Sequence, residues 1–149
     1  MAEELSSAEV LLVERAPDTA RRIMSYLDEQ GFQVEWVDDG EKAFNRLDAR
    51  NYDVLITELN AHRINGMRLL ELALERSPEM CVILITEEPD VELATEAMRQ
   101  GAYDFQTKPV NLGKLEAVIQ RGLGRMRLML EQHELKSRLD EQYGLGSLV

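Results

Sequence analysis

Three short runs, Val10 to Val13, Val54 to Ile56 and Val82 to Ile85, are apolar with almost no interruption. A strand with one wet face alternates apolar and polar residues. Runs that do not alternate therefore describe strands buried on both faces, as in a parallel sheet covered by helices on either side. The segments between them carry helical spacing: Ile23, Met24 and Leu27 follow Pro17, and Met67, Leu70 and Leu74 precede Pro78. Gly31 and Gly101 fall where helices end in a left-handed residue, Asp90 is placed as an N-cap, and Pro78 closes the third helix.

Gln33 to Val37 differs, because Val34 and Trp36 alternate with Gln33 and Glu35, the pattern of a strand at the edge of the sheet. Tyr103 to Thr107 supplies a fifth strand after the fourth helix. Five strands and five helices in strict alternation predict an α/β fold. Its form is a flavodoxin-like, doubly wound, five-stranded parallel sheet in the order 2-1-3-4-5, with a C-terminally extended last helix. In that order ligands bind at the carboxyl ends of the strands, where strands 1 and 3 diverge. The polar residues gather at those ends: Glu14-Arg15 after strand 1, Thr57-Glu58 at strand 3, Thr86-Glu87 at strand 4, Lys108-Pro109 at strand 5.

Seventeen Lys and Arg stand against 28 Asp and Glu, a net charge of -11, which argues against direct nucleic-acid contact by this chain. Cys81 is the sole cysteine and sits inside an apolar run, so it reads as core. His62 and His133 have no Cys or second His at metal-ligand spacing and read as solvated. No basic, apolar leader opens the sequence and no apolar stretch is long enough to span a bilayer, which gives the expectation of a cytoplasmic protein with no membrane contact. Neither a phosphate-cradling Gly-rich loop nor a G-x-S-x-G elbow is present, which argues against an enzyme.

Four segments carry a family resemblance: Val10-Leu-Leu-Val-Glu-Arg-Ala-Pro17, Tyr52-Asp-Val-Leu-Ile-Thr-Glu-Leu59, the Asn65-Gly66 step, and the run from Asp90 to Pro109. Over about Glu9 to Gly122 the chain resembles the receiver domains of bacterial two-component response regulators. The last run is closest to the receivers of sigma-54-dependent, NtrC-like transcription activators. The resemblance implies an aspartate phosphoryl acceptor at the end of strand 3 and an acidic pair after strand 1 that helps hold Mg²⁺. Here Glu58 stands at the acceptor position and Glu14-Arg15 at the acidic pair. The family's threonine is kept as Thr86, its lysine as Lys108, followed by Pro109, and its switch aromatic as Phe105. The small residue usual after the threonine is Glu87, and the proline usual after the acceptor is replaced around His62.

Three carboxylates facing one lysine leave a surplus of negative charge that a divalent cation neutralises. With Glu14 and Glu58 facing Arg15 and Lys108, the pocket is expected to balance itself without a metal, Arg15 forking onto a carboxylate. Glu58 also carries its carboxylate about 1.5 Å further out than an aspartate would. The expectation is a pseudo-receiver with no cofactor, held near an active-like state by Glu58 with Lys108 or Thr86. A merely structural ion-pair cluster is an equal reading of the same residues. Two alternatives stay open. One is a conventional Mg²⁺-dependent receiver phosphorylated by a histidine kinase at Glu58 or a nearby acid such as Asp53, and the other is a stand-alone protein-binding adaptor.

After Asn111, expected as an N-cap, no proline interrupts the chain to about Gln142, although Gly113, Gly122 and Gly124 weaken a helix there. Leu115, Val118, Ile119 and Leu123 can cover the sheet. Met126, Met129 and Leu130, then Leu128, Leu135 and Leu139, form apolar stripes that suit a parallel homodimer. The expected organisation is a tail over 1–8, a receiver over 9–122 and a helical linker and dimerisation segment over 123–149. The ending Glu141 to Val149 resembles the linker that leads into the AAA+ ATPase of sigma-54 activators. The resemblance thus implies a regulatory piece that controls assembly of a downstream motor, itself absent from this sequence.

Overall fold

A computed structural model describes residues 7–143. Five parallel strands, β1 (Glu9–Val13), β2 (Gln33–Val37), β3 (Val54–Glu58), β4 (Cys81–Thr86) and β5 (Asp104–Thr107), lie in the order β2-β1-β3-β4-β5. Helices α1 (Pro17–Glu29), α2 (Gly40–Ala49), α3 (Gly66–Arg76), α4 (Val91–Arg99) and α5 (Leu112–Tyr143) alternate with them.

The unbroken apolar runs have their cause in two cores, one on each face of the sheet. Val10 and Leu12 of β1, Val54 and Ile56 of β3, and Cys81, Ile83 and Ile85 of β4 join Ile23 and Leu27 of α1 and Leu115, Val118, Ile119 and Leu123 of α5. The intervening Leu11, Val13, Leu55, Val82 and Leu84 join Leu47 of α2 and Leu69, Leu70 and Ala73 of α3 on the other face. Successive strand side chains point to opposite faces, so a strand sandwiched between two cores has no place for a polar residue. β2 pairs only with β1 and lies at the edge, with Val34 and Trp36 partly buried against the first core.

The helix punctuation follows the residues. Gly31 and Gly101 take φ of 95° and 108° just past α1 and α4, a conformation that glycine adopts without penalty. Asp90 accepts the Leu93 N–H, and Asn111 accepts the Lys114 N–H at 3.0 Å. Asp39 and Asn65 cap α2 and α3 in the same way, at positions the sequence reading passed over. β5 begins one residue later than expected, at Asp104, and β3 runs two further, to Glu58.

α5 is one helix of 32 residues, about 48 Å long. Gly122 permits its close approach to the sheet: a Cβ there would stand 2.3 Å from Cys81 Sγ. Beyond Arg127 its side chains leave the body, and Leu128, Met129, Leu130, Leu135 and Leu139 are exposed. Residues 1–6 of the expected tail and 144–149 of the expected linker lie outside the described residues. Ala8, by contrast, is buried, and its carbonyl accepts the Gln33 N–H. Among the described residues no helix is long and apolar enough to cross a membrane.

Candidate functional site

The carboxyl ends of β1, β3, β4 and β5 bring Glu14, Glu58, Thr86 and Lys108 to one mouth. Lys108 Nζ lies 2.7 Å from Glu14 Oε1 and 3.3 Å from Glu58 Oε2, with Glu87 at 4.0 Å on the rim. The Lys108 N–H donates to the Thr86 carbonyl at 2.8 Å, which fixes the root of the lysine against β4. The other Glu58 oxygen accepts the Arg15 backbone N–H, and Glu14 Oε2 accepts the Ala16 N–H at 3.0 Å. Two buried carboxylates are thus held by one ammonium and two main-chain donors.

Electrostatics separates the pair. Burial pushes the Glu14 carboxyl above its ordinary value, against the opposing pull of Lys108 and the Ala16 N–H, and Glu58 adds to the rise. Burial would raise Glu58 too, but the Arg15 N–H, the Glu14 side chain and Lys108 together hold it below. Lys108 loses from burial and gains more from the two glutamates, so its pKa is raised.

The expectation for Arg15 needs correction. Its side chain is exposed at the mouth and makes no hydrogen bond or ion pair among the described residues; only its backbone N–H reaches Glu58. The turn from β1 into α1 points the main chain inward and the guanidinium outward, so the pocket is not balanced by Arg15. Among the described residues Lys108 alone faces the two carboxylates, and burial, with Glu58 adding to it, keeps the Glu14 carboxyl above its ordinary value. Thr86 is buried, and its Oγ1 accepts the Glu88 N–H at 3.2 Å rather than meeting Glu58. Phe105 is half-buried against the second core, and Pro109 is exposed beside the mouth. Asp53 sits at the opposite end of β3, where it accepts the Glu9 N–H, too remote to share chemistry with Glu58.

Two features of the surround escaped sequence reasoning. The Trp36 indole N–H donates to the Glu14 carbonyl at 2.7 Å, so the edge tryptophan holds the turn that carries Glu14 and Arg15. The loop after β3 is tied to α2: Gly40 N–H donates to the His62 carbonyl at 2.8 Å, and Arg63, at φ 71°, reaches Asp39 and Glu41. A Cβ on Gly40 would stand 1.8 Å from the Ile64 carbonyl oxygen, and one on Gly66 would stand 2.5 Å from that of Glu58. A glycine beside a polar loop is the signal that could have marked both positions.

A small cavity of about 70 Å³ opens at the mouth, between Arg15, Glu58, Asn60 and Thr86 to Glu88. Among the described residues no three His, Cys, Asp or Glu side chains are grouped to hold a metal ion.

Residues 10–120 match the response regulator receiver domain. The chain belongs to the receiver domain family of two-component response regulators. This receiver is 34% identical over 146 residues to the C4-dicarboxylate transport transcriptional regulatory protein DctD of Pseudomonas aeruginosa, covering 97% of this chain and 31% of that protein. It is 30% identical over 130 residues to the nitrogen assimilation regulatory protein NtrX of Azorhizobium caulinodans, covering 86% and 29%. The chain therefore spans about three-tenths of the length of these curated relatives. Among solved structures, NtrX from Brucella abortus in complex with ADP superposes with a TM-score of 0.80 at 27% identity, over 87% of this chain and 30% of that one. A receiver domain protein from Clostridium thermocellum gives 0.73 at 26% identity, over 82% and 98%. The receiver fold and the strand order expected from the sequence are those observed.

Proposed function

We propose that this receiver signals without phosphoryl transfer, as a regulatory domain and not an enzyme. The observation that carries the reading is Lys108 bridging Glu14 and Glu58, with the Arg15 N–H on the remaining Glu58 oxygen. Mg²⁺ demands several oxygen ligands in near-ideal octahedral geometry. Here the two carboxylates already hold Lys108, and the third acidic position of the family is Arg15. The residues present do not fit the ion, and phosphoryl transfer without it loses most of its charge stabilisation. The longer Glu58 side chain also misplaces an in-line attack.

Half of the active-like arrangement has support. Glu58 engages Lys108, as a phosphoryl group would in the family that the sequence resembles, while Thr86 is engaged with Glu88 instead. The domain then rests in one self-satisfied state, and its input comes from a signalling protein or small molecule in the cytoplasm rather than from phosphate. Its output runs through α5, whose exposed stripe forms a parallel homodimer and sets the assembly of a downstream AAA+ motor of the sigma-54 activator kind. In this scheme the receiver spans about 9–122 and the linker about 123–149, with no nucleic-acid contact from either.

An amide NMR titration with Mg²⁺ and then beryllofluoride tests this reading. No shifts at Glu14, Glu58, Thr86 and Phe105 are expected in the native chain. The double variant R15D/E58D, which rebuilds the family's acidic set, is expected to gain them at millimolar Mg²⁺. Saturable shifts spreading from Glu58 to Phe105 in the native chain would overturn the reading and return the phosphorylated switch.

A further inference from the structure

The part of α5 that has left the body carries more than an apolar stripe. Leu128, Gln132, Leu135, Leu139 and Gln142 follow one another at alternating steps of four and three, the spacing of a coiled-coil seam. In heptad letters Leu128 and Leu135 take d, and Gln132 and Leu139 take a. At about 100° per residue, Leu128 and Leu135 lie about 140° and about 160° around the helix from Leu115, which is sealed in the core. The seam therefore faces away from the domain's own body, so a helix from a second copy can lie along it. Gln132 and Lys136 are exposed, as are the three leucines.

Gln132 puts an amide, with donors and an acceptor on one side chain, between Leu128 and Leu135 in the middle of the seam. Packed against a leucine it would lose its hydrogen bonds to water and gain none. Packed against the same residue of a second copy, each amide can donate to the other. A parallel, in-register pair sets Gln132 opposite itself with the leucines paired as well. Glu131 and Lys136 flank this rung at g and e, the positions that meet across a parallel pair, so the carboxylate of each copy faces the ammonium of the other. Within one chain Glu131 has Arg127 at 3.8 Å, an exposed pair of little strength, and Lys136 makes no ion pair among the described residues. An antiparallel pair built on the same leucines instead sets Gln132 against Leu135 and Glu131 against Arg138. From this juxtaposition we infer that α5 carries a pairing code. Gln132 with the Glu131–Lys136 pair selects a second copy of this chain, parallel and in register, over other apolar helices. The inference deepens the dimer reading above and rests on it for the existence of the pair.

Charge reversal in the 149-residue chain, read by sedimentation equilibrium, tests the code. E131K and K136E each replace two attractions across the pair by two repulsions, and each should weaken the dimer by about tenfold or more. Mixed in equal amounts they should restore native affinity, because in the mixed pair every ammonium again meets a carboxylate. Q132L should tighten association while admitting species above the dimer mass. L128C should cross-link to itself in a glutathione redox buffer, since Cys81 is buried and only a parallel pair sets position 128 beside its own copy. All these substitutions fall on exposed helix positions, so the far-UV spectrum should persist. A native dimer that K136E leaves unchanged, or two charge variants that do not rescue each other, would overturn the code. Failure of L128C to cross-link would overturn the parallel register. A charge-insensitive dimer that is lost in L128E/L135E defeats only the code. A native dimer indifferent to L128E/L135E, or a monomeric native chain, defeats the dimer reading and the code with it.

Discussion

Lys108 Nζ stands 2.7 Å from Glu14 Oε1, so the lysine that follows β5 is anchored chiefly on the carboxylate that follows β1, across the width of the sheet's mouth. Both side chains are nearly out of solvent, at 11% and 2% exposure. Removing the cation would strand two buried carboxylates. K108M is expected to lose about 3–5 kcal/mol of stability at neutral pH, the usual cost of leaving a buried charge uncompensated, measured by urea unfolding. A loss under 1 kcal/mol would mean that water already screens the cluster.

The cluster also dictates a pH dependence with two opposite arms. Glu58 is held below its ordinary value, so it contributes stability that is present above about pH 4.5 and is lost as pH falls through its lowered pKa. Glu14 is raised, so its contribution is fullest below about pH 4.5 and is lost as pH climbs through its raised value. E58Q should remove the acid-side loss and E14Q the loss on the rising side. Chemical denaturation of both variants across pH 3 to 8 checks this, and identical pH profiles for native chain and variants would contradict it.

Two glycines in α5 separate packing from helix propensity. At Gly124 an added Cβ meets nothing within 4 Å, whereas at Gly122 it meets Cys81 Sγ at 2.3 Å. G124A should stabilise by up to about 1 kcal/mol. G122A should destabilise by about 1–3 kcal/mol through overpacking, and C81A should rescue it in a double-mutant cycle. Equal effects at the two positions would remove the close-packing account of the helix.

Leu128 and Leu135 are 55% and 57% exposed, seven residues apart, on the part of α5 that has left the body. Glu at both positions should convert a dimer into monomers by light scattering while the far-UV spectrum of the receiver persists. An unchanged mass would exclude this stripe as the interface.

Much of the fold was legible because buried parallel strands leave no room for polar residues, and Val10 to Val13 or Val82 to Ile85 announce that condition directly. The convergence of Glu14, Glu58, Thr86 and Lys108 followed from strand order alone. The direction of Arg15 was not legible, since a residue in a turn is aimed by the main chain around it and not by its neighbours in sequence. Trp36 read as edge packing, which it is, but its indole N–H finds Glu14 only because the parallel register sets Val13 beside Val37. Gly122 read as a weakness of the last helix, whereas tertiary packing sets it where that helix lies close against Cys81 of β4.

The last helix runs unbroken from Leu115, sealed in the core, to Leu135 in open solvent, about 30 Å away along one axis. A rigid rod clamped at one end passes on twist without attenuation. A roll of a few degrees where α5 lies on the sheet reappears as the same roll of the distal leucines, whatever the distance travelled. Were a partner to grip the far end, what it received would be a phase angle, the direction in which the leucines face.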